Sequence, residues 1–448
     1  MNNTLTIVAL CIALFTLIYA TVKVKLHPFF SLLLSSFIFG IVSGMGMETL
    51  LTNFAEGMGG TVAGIGVIIT IGTVTGALLE KSGSAETMAR SILKLTGKKH
   101  ATLGLAITGY FVSIPVFCDS ASVLLAPIAK RLARDTKISM TAMAISLTMG
   151  LHATHMLVPP TPGPLAVAGI LNANLGTVIG MGALVSIPVM IVAHILGDRF
   201  GKKYYYLPKN VVEMEENQRL PSAFMAFAPI VIPIILMVLK TIADFPTHPM
   251  GEGNALVGTL DIIGQPMIAL LIGMCIALVS YFKIFPDDKE VYTFEGVFGK
   301  ALMTAGQIVL IVGAGGAFGS ILKASALKDI LMNAFTGVSI GILAPFIIGA
   351  IFRTAIGSGT VAMVTSASML VQVLDILGMG SPMGRVIAML ACAAGGFMVF
   401  HGNDDFFWVA ASTSEMDTSI AYKTFPIISV AQSLTALLCV YILKLIFI

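Results

Sequence analysis

Ile114-Pro115-Val116-Phe117-Cys118-Asp119-Ser120-Ala121-Ser122-Val123 is a run of small and polar residues set between two apolar arms. A second run of the same kind, Arg353-Thr354-Ala355-Ile356-Gly357-Ser358-Gly359-Thr360-Val361, lies in the other half of the chain. The flanking arms are about ten to seventeen residues long, short of the roughly 20 a helix needs to cross a bilayer. Paired breaks of this kind, one per half, are the pattern of a solute site built on an internal repeat.

The surrounding composition sets the class. The 448 residues are 56% hydrophobic and 11% charged, with a mean hydropathy of +0.95, where a soluble domain carries about 25% charged residues. A water-soluble core cannot hide so much apolar side chain. The expectation is an all-α integral membrane protein, a polytopic helical bundle in the lipid bilayer. The alternating ten-residue pattern of an outer-membrane barrel is absent. A net charge of +3, dispersed along the chain, gives no nucleic-acid footprint. Cys11, Cys118, Cys275, Cys392 and Cys439 lie in or beside apolar stretches at no metal-ligand spacing. They read as packing residues, and no cofactor or metal is expected. The first apolar run has no basic leader and reads as a span, not a cleaved signal.

Apolar runs able to span fall near 4–22, 28–46, 59–80, 138–172, 176–196, 222–243, 263–283, 297–320, 382–414 and 421–447, with the broken segments 101–137 and 337–377 among them. Lys81, Arg90, Lys94, Lys98 and Lys99, then Lys130, Arg131, Arg134 and Lys137, then Arg199, Lys202, Lys203, Lys209 and Arg219 mark cytoplasmic segments, whereas 47–58 and 244–262 hold no Lys or Arg. By the positive-inside rule, 101–137 leaves from and returns to the cytoplasm, so it reads as a re-entrant hairpin. Counting onward, 337–377 opens to the outside. The expected organisation is an inverted repeat of about five spans plus one hairpin per half: 1–200, a cytoplasmic connector 201–221, and 222–448. Val67 to Gly72 resembles Ile308 to Gly313, and each is followed by a short amphipathic stretch, Ser84 to Leu95 and Ala324 to Phe335, expected in the membrane interface. Gly313-Ala314-Gly315-Gly316 lacks the Lys and the strand–turn–helix context of a phosphate loop and reads as close helix packing.

Lipid satisfies no backbone group, so a hairpin tip needs small hydroxyl residues. Aligning the tips sets Ser120 opposite Ser358 and Ser122 opposite Thr360. These hydroxyls either cap half-helices or present donors to a solute. Asp119 and Arg353 have no charged counterpart in the other tip. A charge at membrane depth is costly unless paired or wetted. Arg353 suits an anionic carboxylate or a structural salt bridge, with Asp119 as one partner. Asp119 is the first candidate for the coupling proton and Asp404 the second. Further breaks follow: His152-Ala153-Thr154-His155-Met156-Leu157-Val158-Pro159-Pro160-Thr161-Pro162-Gly163-Pro164, and His401-Gly402-Asn403-Asp404-Asp405. Prolines at this density end a helix, exposing carbonyls and half-helix ends. His152 and His155 have no HExxH pattern or Cys partner for a metal; His155 reads as a hydrogen-bonding or proton-relay group.

At these motifs the chain resembles the gluconate:proton symporter (gluconate permease) family of the ion transporter superfamily. The likeness includes Lys25-Leu26-His27-Pro28-Phe29, Glu56 to Thr61, Val312 to Phe318, Gly357 to Ala362, Val158 to Pro164, and Asn403-Asp404 before Phe407-Trp408. It implies proton-coupled uptake of a small anionic sugar acid across the bacterial inner membrane by a homodimer with elevator-like motion. Gluconate, idonate, fructuronate and D-serine are the substrates it brings. Cys118-Asp119-Ser120-Ala121 departs from the family's Phe-Glu-Val-Gly type of tip, and Thr161 stands where His is frequent. The expected substrate contacts are Ser120, Ser122, Arg353, Ser358, Thr360, Thr161 and Asn403; the expected proton-coupling residues are Asp119, Asp404 and His155. The rival readings are a sodium-coupled carboxylate carrier, a channel, and an intramembrane metal-dependent hydrolase using His152, His155 and Asp404.

Overall fold

The computed structural model describes residues 3–209, 211, 219–244, 250, 255–327, 330 and 341–448. The described elements are helices: α1 (Asn3–Val22), α2 (Pro28–Val42), α3 (Met47–Lys81), α4 (Ser84–Thr96), α5 (Ala101–Val112), α6 (Cys118–Thr136), α7 (Met140–Leu157), α8 (Pro162–Ile170) and α9 (Leu175–Lys203) in the first half. The second half has α10 (Ala223–Ala243), α11 (Ala255–Ile263), α12 (Pro266–Ile284), α13 (Val297–Lys323), α14 (Leu343–Ile356), α15 (Gly359–Leu370), α16 (Pro382–Gly395), α17 (Asp405–Thr413) and α18 (Thr418–Phe447). Seven of the described helices are long and apolar enough to cross a membrane: α1, α3, α9, α10, α12, α13 and α18.

Proline placement explains many of the starts. Pro28, Pro162, Pro266 and Pro382 each occupy the first helical position of α2, α8, α12 and α16, where the missing N–H costs nothing. The runs 138–172 and 382–414 are each two helices, α7 with α8 and α16 with α17, separated at 158–161 and 396–404. The stretch 47–58, expected outside the membrane, is the first third of the 35-residue α3. Its glycines stay helical because the helix lies against α13: a Cβ on Gly57 would fall 2.6 Å from the Gly316 carbonyl oxygen, one on Gly313 2.9 Å from Val62, and Gly66 faces Val309. The pairing numbers fall along one helix as they rise along the other, so α3 and α13 run antiparallel.

The amphipathic stretch at Ser84 forms helix α4. Its Ser84 to Ala89 segment and Ile92 are buried, and it packs on α5 and α10. Its second-half counterpart, Ala324 to Phe335, lies mostly outside the described residues, as do 212–218 of the connector and the first residues of the 337–377 segment.

Both expected hairpins are helix pairs, α5 with α6 and α14 with α15, and both are seated by the same device. Apolar association gains little inside lipid, so close backbone packing carries the helix contacts. Gly109 of α5 meets Leu147 and Leu151 of α7, and Gly150 of α7 meets the Ala106 carbonyl. In the other half Gly349 of α14 meets the Cys392 carbonyl of α16, and Gly395 meets the Phe346 carbonyl. Any Cβ at these four positions would sit under 3.0 Å from backbone. One large apolar core includes Leu105, Leu125, Leu147, Val178, Leu390 and Phe425. A second includes Leu17, Leu32, Phe39, Phe318, Phe352 and Ile356. Both hairpin tips reach one shared cavity.

Candidate functional site

This cavity has a volume of about 820 Å³. Four helices present their N-terminal ends to it. His27 and Pro28 come from α2, Phe117 to Asp119 from α6, Ser358 to Thr360 from α15, and Asp404 to Phe406 from α17. Unpaired N–H groups and the helix dipole make each such end favourable to negative charge. The ends are built locally. The His27 Nδ1 accepts from the Phe29 N–H at 3.3 Å. The Asp404 carboxylate accepts from the Phe406 N–H at 2.9 Å. Ser358 is the N-cap residue of α15, in extended backbone.

Gly357 closes the second tip. Its φ of +88° lies where side chains are strained, and a Cβ there would come within 2.1 Å of the Asn403 carbonyl oxygen. The tip and the 396–404 break are therefore in backbone contact. The Asn403 side chain completes the seam by donating to the Thr354 carbonyl at 3.0 Å, and the Trp408 indole N–H donates to Gly402 at 2.9 Å.

Arg353 is 1% exposed. Its Nη2 sits 2.5 Å from Oδ2 of Asp404, its Nη1 donates to the Gly357 carbonyl, and its guanidinium carbon lies 5.6 Å from the centre of the Phe400 ring. The salt bridge considered for this residue forms, with Asp404 rather than Asp119 as its partner. The pair ties the last turn of α14 to the first turn of α17. Asp119 is exposed and stands on the cavity wall with Asp405.

His152 and His155, three apart on α7, both line the cavity. His152 is wedged between Phe397 and Phe400, ring centres 5.1 and 5.2 Å away. Among the described residues, no cluster of three or more His, Cys, Asp or Glu is placed to hold a metal. Nδ1 of His152, Nδ1 of His155, Nε of Arg353 and Oδ1 of Asn403 are buried without a hydrogen-bond partner, and all four residues belong to the cavity wall. A buried polar group left unmade costs about 1–3 kcal/mol, and a concentration of them at one cavity is the mark of a polar ligand site.

The cavity thus gathers Asp119, His155, Arg353, Ser358, Thr360, Asn403 and Asp404 from the expected set. Three expected contacts lie elsewhere. Cys118 to Ser122 belong to the first turns of α6, so consecutive side chains fan out by about 100° per residue. Ser120 is drawn to the Glu80 side chain. Ser122 is 2% exposed and meets the Thr413 hydroxyl at 3.5 Å. Thr161 is 5% exposed and donates to the Val158 carbonyl at 2.6 Å. The tip alignment shifts accordingly. Counted from the helix starts, Ser358 matches Phe117 and Thr360 matches Asp119. Lys25, His27, Asp405 and Trp408 are lining residues not among the expected contacts; the Lys25 to Phe29 motif was the signal for the first two.

At the far end of α6, Lys130 pairs with Glu415 at 2.8 Å, and the Lys209 N–H donates to the same carboxylate at 2.9 Å. The Tyr206 hydroxyl donates to the Ser414 carbonyl at 2.8 Å. Burial holds this phenol above its usual range, so it stays a donor throughout the physiological range.

The family model described as GntP family permease matches residues 5–446. A "Gluconate permease" of Pseudomonas aeruginosa is 32% identical over 441 residues, covering 96% of this chain and 95% of that protein. "Inner membrane permease YgbN" of Escherichia coli K12 is 30% identical, covering 97% and 98%. Among solved structures, the YdaH transporter of Alcanivorax borkumensis superposes with a TM-score of 0.65 at 14% identity, covering 93% of this chain and 97% of that one; this shows the fold. With seven helices among the described residues long and apolar enough to span, a match along nearly the whole chain and an inner-membrane relative, the chain belongs to the GntP family of permeases and is a multi-pass protein of the bacterial inner membrane.

Proposed function

We propose that the protein carries gluconate or a closely related sugar acid inward together with a proton, and that the substrate binds in the cavity between the hairpin tips. The observation that carries this reading is the convergence of four helix N-termini and four unpartnered buried polar atoms on one cavity. The volume falls in the range of about 300–1,000 Å³ typical of small-molecule sites. In this reading the N-termini of α6 and α15 face the carboxylate, while Ser358, Thr360 and Asn403 meet hydroxyls. The Arg353–Asp404 pair holds the frame. The name of the Pseudomonas relative supports gluconate as the substrate.

Charge supports proton coupling. The wall carries Lys25 and Arg353 against Asp119, Asp404 and Asp405, one more acid than base. An incoming anion raises that excess, and one proton on the wall offsets it. Asp119, exposed to the cavity and outside the ion pair, is the assigned carrier, with His155 beside the path. The antiparallel packing of α3 on α13 and the matched hairpin seats support an inverted repeat, and with it elevator-type alternating access. The test is gluconate uptake into proteoliposomes under an imposed pH gradient without sodium. Uptake that persists there, and collapses with a proton uncoupler, supports the reading. Uptake lost only when sodium is removed overturns it in favour of a sodium-coupled carrier.

A further inference from the structure

We propose that Lys25, in the turn between α1 and α2, supplies the positive charge that pairs with the substrate carboxylate. This rests on the reading of the cavity as a sugar-acid site. The Lys, Arg and Asp side chains of the wall are Lys25, Arg353, Asp119, Asp404 and Asp405. The charge of Arg353 is already neutralised: the residue is buried, paired with Asp404 through Nη2, bonded to the Gly357 carbonyl through Nη1 and set toward the Phe400 ring, which leaves its Nε without a partner. Freeing it for a substrate would strip Asp404 of its partner at depth, where an unpaired charge is most costly. Lys25 is the other cation of the wall. It is exposed, and among the described residues its ammonium forms no ion pair or hydrogen bond.

The backbone of the turn gives a second, independent argument. Lys25 sits at φ +57°, the left-handed region that non-glycine residues other than Asn and Asp seldom occupy. The turn is held there from both sides. The Lys23 and Leu26 N–H groups donate to the Tyr19 and Ala20 carbonyls, each at 2.9 Å. His27 caps the next helix, and Pro28 starts it. A glycine would fit this turn with less strain, yet the position holds a long cation at the rim of the cavity. A four-carbon stem lets the ammonium follow a carboxylate over several ångströms, which suits a substrate that must bind and leave.

The experiment is calorimetric binding of gluconate to the purified full-length protein, wild type, Lys25→Gln and Lys25→Arg, with the melting temperature of each unliganded form. Lys25→Gln is expected to weaken gluconate at least tenfold, while Lys25→Arg stays within about threefold of wild type. All three should melt within about 1 °C of one another, because the side chain has no structural partner. Binding by Lys25→Gln within twofold of wild type overturns the proposal and leaves the cavity reading intact. A lowered melting temperature in both variants, with equal loss of binding, makes Lys25 structural and also overturns it. A wild type that binds neither gluconate nor any other six-carbon sugar acid overturns the cavity reading itself, and the proposal with it.

Discussion

Asp404→Asn isolates the Arg353–Asp404 pair from the capping role of the same residue. An amide oxygen still accepts from the Phe406 N–H, so the N-cap of α17 survives. Only the charge is lost. Arg353, 1% exposed, then keeps its bond to Gly357 and its contact with Phe400, but no anion. Removing one member of a buried pair costs about 3–5 kcal/mol. Asp404 is 14% exposed, so water relieves part of the penalty and the lower end, about 3 kcal/mol, applies. At about 2 cal/mol/K per residue, 448 residues give an unfolding entropy of about 0.9 kcal/mol/K. The expected fall in melting temperature in detergent is therefore about 3 °C. Adding Arg353→Met removes the stranded charge and should recover most of the loss, since replacing both members of a buried pair is often near neutral. A single variant that melts like wild type, or a double variant whose loss is the sum of the two singles, refutes the argument that this pair is a compensated structural lock.

Gly357→Ala sets a Cβ 2.1 Å from the Asn403 carbonyl oxygen and forces the tip to move by about an ångström, a displacement able to cost about 10²-fold in rate; transport at normal expression should fall by that order, and a wild-type rate contradicts the seam. Ser358→Ala and Thr360→Ala should each weaken gluconate binding by about 1 kcal/mol, the worth of a hydrogen bond. Ser122→Ala, whose hydroxyl faces Thr413, should change affinity less than twofold in the same titration; the reverse ranking would move the site into the α6–α17 contact. Tyr206→Phe leaves the Ser414 carbonyl without its donor, and faster amide exchange is expected over 204–209; unchanged exchange would show that the bonds to Glu415 and to 137–141 hold that segment without it.

The breaks in the chain are readable because their signals are local. Proline at 159, 160, 162 and 164 cannot continue a helix, and the small polar runs near 118 and 358 interrupt apolar sequence on their own terms. What local pattern does not carry is the direction of each side chain. Asp119, Ser120 and Ser122 look equivalent as letters, but one helical turn sends them to the cavity, to Glu80 and to Thr413. The chain turns at 113–117, ahead of the polar residues, which open α6. Nor does sequence reveal that Asp404, some fifty positions on, meets Arg353 before Asp119 does. That choice is made by how α14 and α17 pack. Lys25 was visible only as part of a motif, because the turn that brings it to the cavity belongs to α1 and α2, far from either hairpin in sequence. The absence of Lys and Arg marks 47–58 only by charge, and it is the close face of α13 that accommodates its Gly57 in a helix.

The most direct test of the central claim, that a proton taken up at Asp119 accompanies the anion through this cavity, is gluconate transport by Asp119→Asn in proteoliposomes, with gradient-driven accumulation and counterflow exchange measured on the same preparation. The account predicts that accumulation under a pH gradient is lost while exchange of labelled for unlabelled gluconate continues, because the site remains built but carries no titrating group there. Accumulation at the wild-type level by Asp119→Asn would contradict it.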